Sequence, residues 1–344
     1  MMETKINTDI EEDLNKKKRR GMTRAQRQRL LNIIIPLVIV VVVFIVFSLT
    51  YTFFQIPTGF PQILIFGSTH GAIVSLLAIG LSLVYGVGGV MNLAHGGFYL
   101  MAGYIFYWTV VTYSLNFFLG IIISIISVTL IGGASYLLLI KPLMDSPIGV
   151  LMVTFAIAYF FQAFILLIVQ VSHPLLMDPL IPGSIEILGV SFGAQNILII
   201  VLSLATVLGV SLFINKTKLG KSIRAVAQDR EAAMLAGINA DRILMYVVMI
   251  SAFLAGLAAI LNVPKEYISP YVGWGILTES FAVVVLGGLG NLLGSVVGSF
   301  ILGYAISICN YLIDPSFASL IPGIVIVITL ILRPQGLFGK EEIY

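Results

Sequence analysis

The chain has 344 residues, 59% of them hydrophobic and 10% charged, with a mean hydropathy of +1.06. Soluble domains carry about 25% charged residues, so no soluble fold of this length hides so much apolar surface, and an all-α polytopic membrane bundle is expected. The long unbroken apolar runs exclude a transmembrane β-barrel, whose segments alternate, and the single Cys309 excludes an intrachain disulfide.

The first element, residues 1–29, is a basic tail. Met1 to Leu14 is polar and expected to be disordered, and KKKRRGMTRAQRQR from Lys16 to Arg29 holds eight of the nineteen Lys and Arg residues. Such charge suits anionic lipid or nucleic acid; a topology anchor is the simpler reading, and no nucleic-acid partner is expected. A single transmembrane domain follows over residues 30–335, then a short C-terminal tail, 336–344. Apolar runs place about ten spans, near 31–54, 62–88, 93–114, 117–140, 148–171, 195–215, 243–263, 275–290, 292–313 and 317–333. The first lacks an A-x-A-like cleavage site and is too long for a signal h-region, so it is read as retained.

Six further Lys and Arg residues fall between Lys216 and Arg242, whereas 172–194 holds His173, Asp178 and Glu186 without Lys or Arg. The positive-inside rule puts the tail and the 216–242 loop in the cytoplasm and 172–194 outside. Ten crossings then also place Lys141, Arg333, Lys340 and both termini in the cytoplasm of a cell (plasma) membrane protein. The segments 275–290 and 292–313 are glycine-rich, leaving open that one is broken or re-entrant.

Within the 216–242 loop, helix formers from Ser222 to Leu235 predict one short amphipathic helix stopped by Gly237. Ile223, Val226, Ala227, Met234 and the Ala232–Ala233 pair would form its small apolar strip, with Lys221, Arg224, Asp229 and Arg230 toward water. A short helix held outside a bundle suits docking of a soluble partner; an ordinary solvated loop is the alternative.

Two glycine-rich segments, GVGGVMNLAHGG (Gly86 to Gly97) and GGLGNLLGSVVG (Gly287 to Gly298), share G-G-x-x-N-L. Gly290, Gly294 and Gly298 recur every four residues, the small-xxx-small spacing that lets helices approach closely. Gly220-Lys221-Ser222 resembles the end of a P-loop, but Asn215 stands where its first glycine belongs and no strand precedes it. His70, His95 and His173 are too scattered for a metal site, and no catalytic constellation appears, so the chain reads as a transport subunit rather than an enzyme, with no cofactor of its own. Few ionisable groups lie at membrane depth: His70, His95, Glu279 and, near an interface, Asp314. That scarcity favours a permease powered from outside its spans over an autonomous secondary carrier or channel for a small solute such as urea or a short amide. Asn92, His95, Tyr99, Gln162 and Glu279 are the candidates for the solute route, since a buried polar group lines a wet path or bonds a neighbouring helix.

Particular residues carry a family resemblance. Glu231-Ala232-Ala233-Met234-Leu235-Ala236-Gly237 resembles the EAA-x3-G loop of ABC importer permeases. GKSIRAVAQDREAAMLAGINADRI, YGVGGVMNLAHGGFYLMAGY (Tyr85 to Tyr104), SPYVGW (Ser269 to Trp274) with VVVLGGLGNLLGSVVGSFILG, and RPQGLFG (Arg333 to Gly339) resemble the branched-chain amino acid (leucine/isoleucine/valine) ABC permease family over roughly residues 60–340. The resemblance implies an importer of two permease chains, identical or homologous, two cytoplasmic ATPase subunits that bind ATP and Mg, and an extracytoplasmic solute-binding protein. It implies ATPase coupling by Arg224, Glu231, Ala232, Ala233 and Gly237. Gly97, where the family often has Glu, and Asn291 and Ser295, where it often has Ser and Pro, leave the exact solute open.

Overall fold

A computed structural model describes residues 59–169, 175–187 and 190–339. Pro57–Tyr344 forms one compact unit; the basic tail and the expected span at 31–54 lie outside the described residues, as do His173 and Lys340.

Uninterrupted apolar runs form the longer helices; Asn116, Asn239 and Asn291 cap the starts of three of them, and Gly89, Gly237 and Gly288, each at positive φ, stop three helices. In chain order they are α1 (Gly59–Gly88), α2 (His95–Tyr107), α3 (Phe117–Ser135), α4 (Pro147–Val169) and α5 (Ala194–Lys216). After them come α6 (Lys218–Gln228), α7 (Arg230–Leu235), α8 (Ala240–Asn262), α9 (Val272–Gly287), α10 (Leu292–Leu312), α11 (Pro315–Ala318) and α12 (Ile321–Leu332). A π-helical turn extends α2 to Thr112, and π and 3-10 turns extend α3 to Leu143. Six of these are long and apolar enough to cross a membrane: α1, Phe117–Leu143, α4, α5, α8 and α10. The bundle is all-α and multi-pass. Helices stand at every expected span from 62–88 onward, but α9 and α12, with 16 and 12 residues, reach only about 24 and 18 Å against a hydrocarbon core of about 30 Å.

Burial sorts the helices into centre and rim. The most apolar window of α1 is 83% buried and that of α5 17%, because α1 is clasped by α5, α8, α9 and α10. α2 is also central, against α3, α4, α8 and α9. One core joins Leu76, Phe98, Tyr104, Val247 and Leu254 across α1, α2 and α8. A second joins Val74, Ala78, Val283 and Leu302 across α1, α9 and α10. Lipid offers no hydrophobic drive between helices, so close backbone approach matters more than in water. A Cβ on Gly294 of α10 would lie 2.1 Å from the Gly287 carbonyl oxygen of α9, which only a glycine pair permits.

The turns alternate between two ends. At one end Lys141 approaches Asp241 (3.7 Å), Gly290 abuts Gly86, and Asn291 donates to the Phe338 carbonyl (2.9 Å). At the other, Leu175 and Ile268 form a two-way backbone bridge, and Phe66 of α1 meets Phe192 edge-on at 6.0 Å. Phe192 belongs to a small antiparallel hairpin, β1 (Ser184–Ile187) with β2 (Val190–Gly193), which the sequence reading treats only as an outward loop. Among the described residues, Lys141, Lys216, Lys218, Lys221, Arg224, Arg230, Arg242 and Arg333 gather at the first end and Lys265 alone at the second.

Candidate functional site

Between α5 and α8 the chain leaves the bundle. Thr217 caps α6, its hydroxyl oxygen accepting from Gly220 N–H at 3.0 Å. Arg224 reaches back, donating to the Ile214 carbonyl at the end of α5 and to the Asn215 amide oxygen at 3.1 Å. A guanidinium placed on the last carbonyls of a helix also meets the negative end of its dipole. Arg224 therefore bolts α6 to α5 rather than facing water alone.

The single helix expected over Ser222–Leu235 is two helices broken at Asp229. There the backbone turns extended (φ −156°, ψ 108°), and the carboxylate accepts from Ala232 N–H at 2.9 Å. A short carboxylate competes for backbone N–H groups, so aspartate prefers the cap to the helix interior. The expected stop holds. Gly237 takes φ +83°, its N–H reaches the Met234 carbonyl and that of Ile238 reaches Ala233, both at 3.0 Å, closing a Schellman turn.

The expected apolar strip also changes. Ile223, Val226 and Ala233 are buried, but Ala227 on α6 and Ala232 and Met234 on α7, beyond the break at Asp229, are exposed. Arg230 is not free in water: it donates to Asp241 Oδ1 at 3.0 Å, and Lys141 approaches the other oxygen. What α7 presents outward is Glu231, Ala232, Met234 and Leu235, the last 91% exposed.

At the opposite end a cleft of about 390 Å³ opens between α1, α10 and the α8–α9 loop. Gln62, Phe66, His70, Lys265, Glu266 and Tyr311 border it. Behind the rim His70 Nε2 meets Glu279 Oε2 at 2.9 Å. Lys265 Nζ stands 3.6 Å from Glu266 Oε1 and 6.0 Å from the Phe66 ring centroid. The amide of Asn262 donates to Glu266 Oε2 and to the Tyr99 hydroxyl, each at 3.0 Å. Burial works to raise the Glu266 carboxyl, but Lys265, His70 and the Asn262 amide together hold it below the usual carboxylate range. Glu266 is thus a fixed anion at neutral pH.

The family model described as "Branched-chain amino acid transport system / permease component" matches residues 63–330. The chain belongs to this family. The high-affinity branched-chain amino acid transport system permease protein LivH of Salmonella typhimurium is 27% identical over 80% of this chain and 94% of its own. The corresponding BraD of Pseudomonas aeruginosa is 28% identical over 82% and 96%. The ribose import permease protein RbsC of Escherichia coli is 31% identical over 35% of this chain and 39% of its own.

The structure distributes the permease's five expected route residues widely. Tyr99 and Glu279 belong to the groups around the cleft. The other three bond elsewhere: His95 Nδ1 meets Ser251 Oγ at 2.9 Å across α2 and α8, Gln162 accepts from the Trp274 indole, and the Asn92 side-chain oxygen accepts from Ala94 N–H at 3.1 Å. Of the small-residue stripe, Gly294 and Gly298 lie on α10 facing Gly287 and Val283, whereas Gly290 precedes the helix in the turn against Gly86. Sequence reasoning missed Lys265, Glu266 and Asn262. The available signal was a Lys-Glu pair between two spans on the expected outer side, where a lone lysine is disfavoured.

Proposed function

We propose that this permease is the membrane subunit of an ABC importer for branched-chain amino acids or a closely related small polar solute, driven by a cytoplasmic ATPase docked on α7. The observation that carries the reading is the outward face of that helix. It exposes Leu235 and Met234 beside Glu231, yet both of its ends are capped, Arg230 ties it to Asp241 of α8, and Arg224 ties the adjoining α6 to α5. A rigid, partly apolar projection suits a cleft in a partner and transmits displacement without dissipating it. Glu231 would meet a basic group of the ATPase, and Ala232 and Gly237 allow close approach; ATP and Mg bind in that partner.

The end rich in Lys and Arg supports a cytoplasmic position for this loop and the C-terminus, and the cleft then opens outward. There an extracytoplasmic solute-binding protein would deliver solute to a pair of permease chains. The substrate class is supported by the names of the full-length relatives LivH and BraD. The test is co-purification with an ATPase and solute-stimulated ATP hydrolysis in liposomes, both lost in Glu231→Lys and Gly237→Asp. Uphill accumulation by the isolated chain under an ion gradient would instead establish an autonomous carrier and overturn the reading.

A further inference from the structure

We propose that the outer cleft binds the zwitterionic head of an α-amino acid, its carboxylate on Lys265 and its ammonium on Glu266, with the side chain along Phe66, Ile63 and Ile306. The inference rests on the importer reading and deepens it by assigning the site that distinguishes an amino acid from an uncharged solute.

The geometry argues for this in four ways. First, an α-amino acid carries adjacent opposite charges on one carbon, and Lys265 and Glu266 present adjacent opposite charges 3.6 Å apart. That separation exceeds the roughly 2.7–3.2 Å of an N–H···O hydrogen bond, so neither partner saturates the other. A solute lying antiparallel to the pair places each of its charges against the opposite one. Second, the anion is held: Glu266 Oε2 is fixed by Asn262, leaving Oε1 toward Lys265 and the cleft. Third, the ammonium is sheltered: the Lys265 side chain is 18% exposed and Glu266 48%, so the pair is reachable from outside yet partly withdrawn from water, where charge contacts strengthen. Fourth, Ile63, Phe66, Gly303 and Ile306 give the cleft an apolar stretch for an aliphatic side chain, between the polar Gln62, Ser307, Asn310 and Tyr311, and about 390 Å³ is at the lower end of small-molecule sites.

The same arrangement rejects partial matches. An amine without a carboxylate leaves Lys265 facing a like charge, and a carboxylate without an amine does so at Glu266. Urea meets neither charge with an opposite one. Discrimination therefore depends on both charges being present together.

The experiment uses the assembled permease with its partner chains in nanodiscs, without solute-binding protein or nucleotide, and measures equilibrium binding of radiolabelled L-leucine. Unlabelled L-leucine should compete, while 3-methylbutylamine, 4-methylpentanoate and urea should not. Lys265→Met and the near-isosteric Glu266→Gln should each weaken leucine binding at least about tenfold, equivalent to about 1.4 kcal/mol, and Lys265→Arg should restore it. Equal competition by the amine or the carboxylate, undiminished binding in both neutralised variants, or no saturable leucine binding by an assembly that hydrolyses ATP would each overturn the proposal. The competition series is run on the unsubstituted protein, so it stands even if a variant fails to assemble. Failure of the importer reading looks different: the chain then recovers no ATPase at all.

Discussion

Removing both caps of α7 should unfasten it while leaving the bundle intact. The helix has six residues, far below the roughly 12–15 at which an isolated helix becomes marginal in water, so its order depends heavily on its ends. Asp229→Ala removes the N-cap at a cost of about 1 kcal/mol. Gly237→Ala forces a Cβ into the left-handed region, costing about 1–2 kcal/mol; no atom lies within 4 Å of that Cβ, so the effect is conformational rather than a clash. The positions share no hydrogen bond and their effects should nearly add, giving about 2–3 kcal/mol, or roughly a 30- to 150-fold larger opening constant at about 1.4 kcal/mol per decade. Amide hydrogen exchange reads this directly. The N–H groups of Ala233, Ala236 and Ile238, bonded within the capped turn, should exchange faster by that factor, while those of Val247 and Val248 inside α8 stay protected. Gly237→Asn should change little, because asparagine tolerates the left-handed conformation. Unchanged exchange in the double variant would refute the energetic argument. Faster exchange with undiminished ATPase association would refute α7 as the docking element.

Two further outcomes follow from the packing. Gly294→Val should separate α9 from α10, since even a Cβ would fall 2.1 Å from the Gly287 oxygen; overpacking of this kind costs about 1–3 kcal/mol or more and should lower the apparent Tm and monodispersity on size exclusion. Gly323→Ala, with open space around it, serves as the neutral control. His70→Gln and Glu279→Gln should show a coupling of about 0.5–3 kcal/mol in a double-mutant cycle of apparent stability, because their side chains meet at 2.9 Å; zero coupling would exclude a working pair.

The helical bundle was legible because lipid imposes a blunt constraint: each described span satisfies its backbone internally and is written as a long apolar run. The stop at Gly237 was legible for a related reason, since few residues other than glycine close a Schellman turn comfortably. The break at Asp229 was not, because helix propensity summed over Ser222–Leu235 outweighs one residue whose role depends on where its carboxylate finds an N–H. The burial of His95 against Ser251 and of Gln162 against Trp274 was equally hidden. A polar residue in an apolar run has the same local pattern whether its partner is a neighbouring helix or water, and only tertiary contacts separate the two. Lys265 and Glu266 escaped notice because they lie in a short loop outside the apolar runs, where hydropathy does not register them; the one signal was a lysine on the expected outer side.

In the proposed coupling, α8 gives the two ends a mechanical connection that no single motif suggests. It starts three residues after Gly237 and ends three residues before Lys265, spanning 23 residues and about 34 Å. Asp241 near its start holds Arg230, Ser251 at its middle holds His95, and Asn262 at its end holds both Glu266 and Tyr99. The helix contains no proline, the commonest cause of a sharp kink. Toward α3, each of its central contacts has a small residue on at least one side: Ala252 lies opposite Gly132, Gly256 opposite Val128, and Met249 opposite Gly133. Small residues at these positions let the two helices approach closely. On that proposal, a displacement delivered at α7 would travel along a proline-free helix to Asn262. Moving Asn262 would move the residue that holds the Glu266 carboxylate, so the proposed coupling step would also loosen the proposed grip on a solute ammonium.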